Sequence, residues 1–93
     1  MNNYNIPADL EEKIRNRDNK CVYCSKSFDT DETIEHIDND VKNISENNIA
    51  ICCRACNSSK GNRLLHEWLN TNYCKKRNIN IETVSDVIKN ILW

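Results

Sequence analysis

The chain has 93 residues, six of them cysteine, with a single glycine, a single proline and a formal net charge of −1 from thirteen basic and fourteen acidic side chains. A domain this short buries only about 60–65% of the surface its unfolded chain exposes, so its apolar core is thin and a disulfide framework or a metal is expected to staple it. No run approaches the roughly 18 apolar residues of a membrane span, and MNNYNIPADLEEKIRNRD has no basic region followed by an apolar one, so the expectation is a cytoplasmic, intracellular chain with reduced thiols, where paired cysteines more often hold metal.

Pro7 can open a helix, with Asp9, Glu11 and Glu12 suited to its positive end and Arg15 and Arg17 to its negative end. Leu10 and Ile14, four apart, share its buried face. The stretch Cys21-Val-Tyr-Cys24 then makes a tight loop. Residues 33–37 (TIEHI) and 48–51 (NIAI) are β-branched runs joined by polar DNDVKNISEN, which predicts two antiparallel strands. A short helix starting near Cys53 is expected to end at Lys60-Gly61, because glycine tolerates the left-handed backbone that closes helices. Leu64, Leu65, Trp68, Leu69 and Tyr73 follow at helical spacing, with Trp68 as a core residue. After the basic run KKR, Asn80 can cap a last helix whose stripe is Val84, Val87, Ile88, Ile91 and Leu92. No repeat or low-complexity linker interrupts the chain, so one domain over 1–93 is expected, with a core over about 6–69 and a helical extension over about 64–93.

Charge is unevenly distributed. Residues 8–46 carry eleven acids and six bases, net −5, whereas residues 47–79 carry six bases (Arg54, Lys60, Arg63, Lys75, Lys76, Arg77) against Glu67, net +5. A local basic patch can attract an anion even on a chain of this net charge, though a solvated charged surface accounts for it equally well.

The cysteines sort into two knuckles, Cys21-x2-Cys24 and Cys53-x2-Cys56, each able to turn two sulfurs toward one ion. Together they satisfy a tetrahedral zinc site with no open position for water, hence a structural one. Iron satisfies the same spacing, and buried thiols without metal are the blander alternative. Zinc closure contributes on the order of 10 kcal/mol of apparent folding energy, enough to stabilise a weak core. The 28 residues between the knuckles exceed the usual gap, so the two strands must form an insert. Cys52 could stand in for Cys53, but the two-residue spacing favours Cys53. Cys74 reads as a small core residue.

With four thiolates closing the sulfur site, any chemistry must lie elsewhere. The order Cys21/Cys24, Glu35-His36, Asn48, Cys53/Cys56, Asn57 and Lys60 resembles the HNH endonucleases of the His-Me finger, or ββα-metal, group, in their zinc-stabilised branch. The resemblance spans roughly residues 6–69. It implies an α+β fold: a small zinc-stabilised ββα-metal domain with flanking helices. It also implies a DNA endonuclease in which His36, an imidazole partly neutral at cellular pH, is the general base. Glu35 and Asn57 would offer oxygens to one Mg2+ or Mn2+, and Asn48 would hydrogen-bond within the loop and keep His36 aimed. Lys60 and Arg63 would meet DNA phosphates, and Lys75, Lys76 and Arg77 could extend that track. Products would carry a 5′ phosphate and a 3′ hydroxyl. Because adjacent strand residues face opposite sides, the first strand must end or bulge at Glu35-His36 for both to reach one phosphate.

Two departures from the family pattern stand out. Glu35 occupies a position often held by Asp, and Asn39 stands where Pro is frequent. Asp38 or Asp40 could join the cation, although solvated loop acids are the simpler reading. His66 matches no motif position. A rival of another class is a non-catalytic four-cysteine zinc module that binds DNA or a protein. No membrane partner is expected, and a double-strand break would require two copies, as in a dimer, or two visits.

Overall fold

A computed structural model describes residues 5–92; residues 1–4 and 93, the ends of the expected 1–93 domain, lie outside the described residues. Helix α1 (Ala8–Arg17) starts after Pro7, with acids in its first turn and Arg15 and Arg17 in its last. Strands β1 (Glu32–His36) and β2 (Ile49–Cys53) pair antiparallel. Helix α2 (Arg54–Lys60) follows β2 without a linker. Three short helices then complete the chain: α3 (Leu65–Trp68), α4 (Asn72–Lys76) and α5 (Asp86–Leu92).

Every residue of β2 is buried, because both faces of the two-stranded sheet are covered. Alternation along the strand sends Ile49 and Ile51 to a small cluster with Ile6 and Ile14. It sends Ala50 and Cys52 into the main core with Tyr23, Trp68, Cys74 and Ile88. Helix α1 is clamped to the sheet by a polar bridge as well. The Arg17 guanidinium holds the neighbouring Asp18 carboxylate (Nε–Oδ1 2.7 Å) and donates to the Ile49 carbonyl (2.7 Å), while Asp18 Oδ2 accepts from the Ile51 N–H (3.0 Å). The small α+β architecture, a strand hairpin followed by a helix beside four clustered cysteines, is the expected one.

Two expectations past Gly61 need correction. Residues 64–73 do not form one amphipathic helix. The Thr71 hydroxyl caps back onto the Trp68 carbonyl (2.6 Å), and the Thr71 backbone is extended, so the chain breaks between α3 and α4. The break buries Leu65 and Trp68 and leaves Leu64 exposed. Asn80 does not cap the last helix. Its side chain accepts from the Glu82 N–H (2.8 Å), closing a turn, and α5 starts six residues later, with Ile91 turned to solvent. At the end of α2 the expectation agrees with the structure: Gly61 has φ +51 and donates to the Asn57 carbonyl at 3.0 Å. No described helix is long and apolar enough to cross a membrane.

Candidate functional site

The loop between α1 and β1 carries Cys21 and Cys24, and the β2–α2 junction carries Cys53 and Cys56. Their four sulfurs lie within 4.8 Å of one another, with Cys24 Sγ and Cys53 Sγ 3.8 Å apart. Sulfurs bound about 2.3 Å from a tetrahedral ion stand about 3.8 Å apart, so the donors are spaced for one such ion. Cys53 takes the position preceding α2, where its sulfur accepts from the Cys56 N–H (3.5 Å). Cys53, and not the adjacent Cys52, stands in the sulfur cluster. The Cys21 thiol falls to about 5, chiefly because the Cys56 thiol hydrogen-bonds to it, and Cys56 rises in return. From α4 the Tyr73 hydroxyl also reaches Cys56 Sγ at 3.4 Å. Burial keeps that phenol protonated, and the Arg77 guanidinium lies 3.8 Å over its ring.

A separate cleft of about 260 Å³ is lined by Glu35, His36 and Asn57, together with Ile34, Asn39, Val41, Gly61 and Asn62. Register is continuous through His36 opposite Ile49, without a bulge. The strand instead stops there, in a turn closed by the Asn39 N–H on the His36 carbonyl (2.8 Å). Adjacent side chains that leave a strand on opposite faces can both line a cleft at its end. His36 is buried, and burial lowers its pKa below the ordinary 6.5, against the opposing pull of Glu35, Asp38 and Asp40. Its imidazole is therefore neutral at pH 7.

The 37–48 loop is pinned by Asn48. Its Oδ1 accepts from the Asp38 N–H (2.9 Å), its Nδ2 donates to the Asn43 carbonyl (2.9 Å), and its carbonyl accepts from the Ile37 N–H (2.9 Å). These bonds lie immediately beyond His36. The Asp38 carboxylate serves the same loop, accepting from Asp40 N–H and Asn43 Nδ2, and lines a different hollow from the one bearing Glu35. Asn39 has φ +66, a conformation closed to proline, so the turn after His36 is built differently from one with proline at that position.

Lys60 departs from expectation. As a phosphate contact it would project into solvent, yet its side chain is 0% exposed. The ammonium donates to the Ile37 carbonyl (3.1 Å) and Asn39 Oδ1 (2.9 Å) and pairs with Glu35 Oε2 (3.1 Å). A buried ammonium must be paired, and Glu35, one residue before the end of β1, supplies the counter-charge. Arg63 stays exposed, one guanidinium nitrogen on the Ser59 carbonyl (2.9 Å). Tyr23 is the residue that motif reading passes over: its hydroxyl donates to Glu35 Oε2 at 2.7 Å. Burial, first, and the Glu35 charge raise its pKa well above 10. The available signal was an aromatic hydroxyl inside a knuckle, since a buried tyrosine needs a partner for its O–H.

Residues 21–63 match the family model described as HNH endonuclease. No curated protein and no solved structure matches the chain. The matched segment runs from the first knuckle through α2 and contains all four clustered sulfurs as well as Glu35, His36 and Asn57. The likeness to HNH endonucleases thus falls on the segment that carries both the sulfur cluster and the cleft.

Proposed function

We propose that the protein is a metal-dependent DNA endonuclease that hydrolyses phosphodiester bonds to leave a 5′ phosphate and a 3′ hydroxyl. The observation that carries this reading is the single cleft lined by Glu35, His36 and Asn57. The four cysteines would hold Zn2+ as a closed structural site. Glu35 and Asn57 would hold Mg2+ or Mn2+, whose preference for one or two carboxylates and several waters suits so small a donor set. Both contacts to Glu35 fall on Oε2, leaving Oε1 as the oxygen to face an ion. When bound, that ion supplies positive charge against the phosphate and the departing oxygen.

His36 acts as general base, taking the proton of the attacking water. Its burial favours the neutral form that this role requires. Asn48 holds the loop that follows, so the imidazole keeps its aim. Arg63, exposed just past α2, meets a DNA phosphate. One such site cuts one strand, and a double-strand break would take two copies or two encounters.

The rival, a non-catalytic zinc module binding DNA or a protein, draws on the Lys60–Glu35 pair, which already neutralises the carboxylate. Supercoiled plasmid incubated with zinc-loaded protein and Mg2+ or Mn2+, beside His36→Ala, separates the two. Nicking by the parent and none by a folded His36→Ala supports the enzyme. No nicking by either supports the rival, and equal nicking by both removes His36 from its role.

A further inference from the structure

Tyr23 stands between the sulfur donors Cys21 and Cys24, and its side chain is completely buried. Trp68 meets its ring edge-on, centroids 4.8 Å apart at 70°, so the ring has little room to swing. Its hydroxyl nonetheless does not serve the sulfur cluster. It reaches across to the first strand and donates to Glu35 Oε2 at 2.7 Å, the oxygen that Lys60 also holds from α2 at 3.1 Å. One carboxylate oxygen is thus fastened from two sides, and one of the fasteners is part of a zinc knuckle.

We propose that Tyr23 is a positioning residue for the cation of the cleft: its hydroxyl, carried on the zinc knuckle, fixes Glu35 Oε2, turns Oε1 toward the cation and thereby couples occupancy of the two ion sites. The inference rests on Glu35 being a cation ligand. A carboxylate already held in one rotamer loses less conformational freedom when it binds an ion. Partners that orient a ligand from behind typically alter metal affinity 10- to 100-fold when removed. The coupling is reciprocal, so whatever loosens the knuckle weakens the cation site, and a bound cation steadies the knuckle. Zinc would act on the reaction itself as well as on folding.

Mn2+ binding to the zinc-loaded protein, followed by the electron-paramagnetic-resonance signal of free Mn2+, tests this on the parent and on Tyr23→Phe, with zinc stoichiometry measured alongside. The expected result is about 10- to 100-fold weaker Mn2+ binding with one zinc per chain retained. Equal Mn2+ affinity in the two proteins overturns the proposal. In a Glu35→Gln background, Tyr23→Phe should cause no further loss; additive losses would show that Tyr23 acts by another route. Should Tyr23→Phe fail to take up zinc, carbon NMR of the parent decides. Titration with Mg2+ should move Tyr23 Cζ and the Glu35 carboxyl carbon along one isotherm, and movement of Glu35 alone overturns the coupling. Failure of the parent to bind Mn2+ at all refutes Glu35 as a cation ligand, a different outcome from binding that the phenylalanine leaves intact.

Discussion

Replacing Lys60 by methionine keeps most of the side-chain volume and removes an ammonium that is completely buried. Three acceptors lose a donor: the Ile37 carbonyl, Asn39 Oδ1 and Glu35 Oε2, the last keeping only the Tyr23 hydroxyl. The largest loss comes from Glu35, itself only 6% exposed in its side chain, which is left buried without its counter-ion. Breaking a buried pair from one side costs about 3–5 kcal/mol. That is a large fraction of the 5–15 kcal/mol typical of a whole domain. In urea, with an m value of about 1–1.5 kcal/mol per M for so small a protein, the zinc-loaded variant should unfold at a midpoint about 2–5 M lower. Lys60→Met combined with Glu35→Gln removes both charges and should recover much of the loss, because two neutral side chains of similar size carry no stranded charge. Circular dichroism against urea on the three proteins measures this. A shift below about 0.5 M for Lys60→Met would mean that the ammonium reaches water, which would return Lys60 to the DNA-facing role first expected of it.

Two further outcomes follow from the same geometry. Stripping the four-cysteine ion with a strong zinc chelator should abolish cooperative unfolding, since on the order of 10 kcal/mol of apparent folding energy leaves with it; a chelated protein with an unchanged thermal transition would refute a structural metal. His36, titrated by NMR in the zinc-loaded protein without added divalent cation, should show a pKa below 6.5, because burial disfavours the imidazolium. As the folded value lies below the unfolded one, the stability this group contributes is complete above pH 6.5 and declines as pH falls through 6.5 toward the folded value; a measured value at or above 6.5 contradicts the burial argument.

The sulfur site is local in the chain, so its residues are legible in the sequence. A two-residue gap brings two sulfurs to one side of a tight loop wherever that loop sits, and the 21/24 and 53/56 pairs each need only their own few residues. Strand alternation and the glycine after Lys60 are local in the same sense. The pairing of the hairpin and the end of α2 were accordingly legible, as was the coarse α+β class. The break between α3 and α4 was not, because Leu65, Trp68 and Tyr73 keep helical spacing on both sides of it and only the Thr71 hydroxyl turning back on Trp68 interrupts the backbone.

What composition and spacing determine here is four thiols for one ion; Glu35, His36 and Asn57 become candidates for a second site only through the resemblance to HNH endonucleases. What the tertiary structure alone decides is which way long side chains turn. A lysine in a basic stretch has the same sequence signature whether it meets a phosphate or a buried carboxylate. It turns inward here because Glu35, one residue before the end of β1, lies within reach of the α2 lysine in a buried position, where an unpaired charge would be costly. Tyr23 and Lys60 lie 12 and 25 positions from Glu35 along the chain, and only folding brings both onto one oxygen.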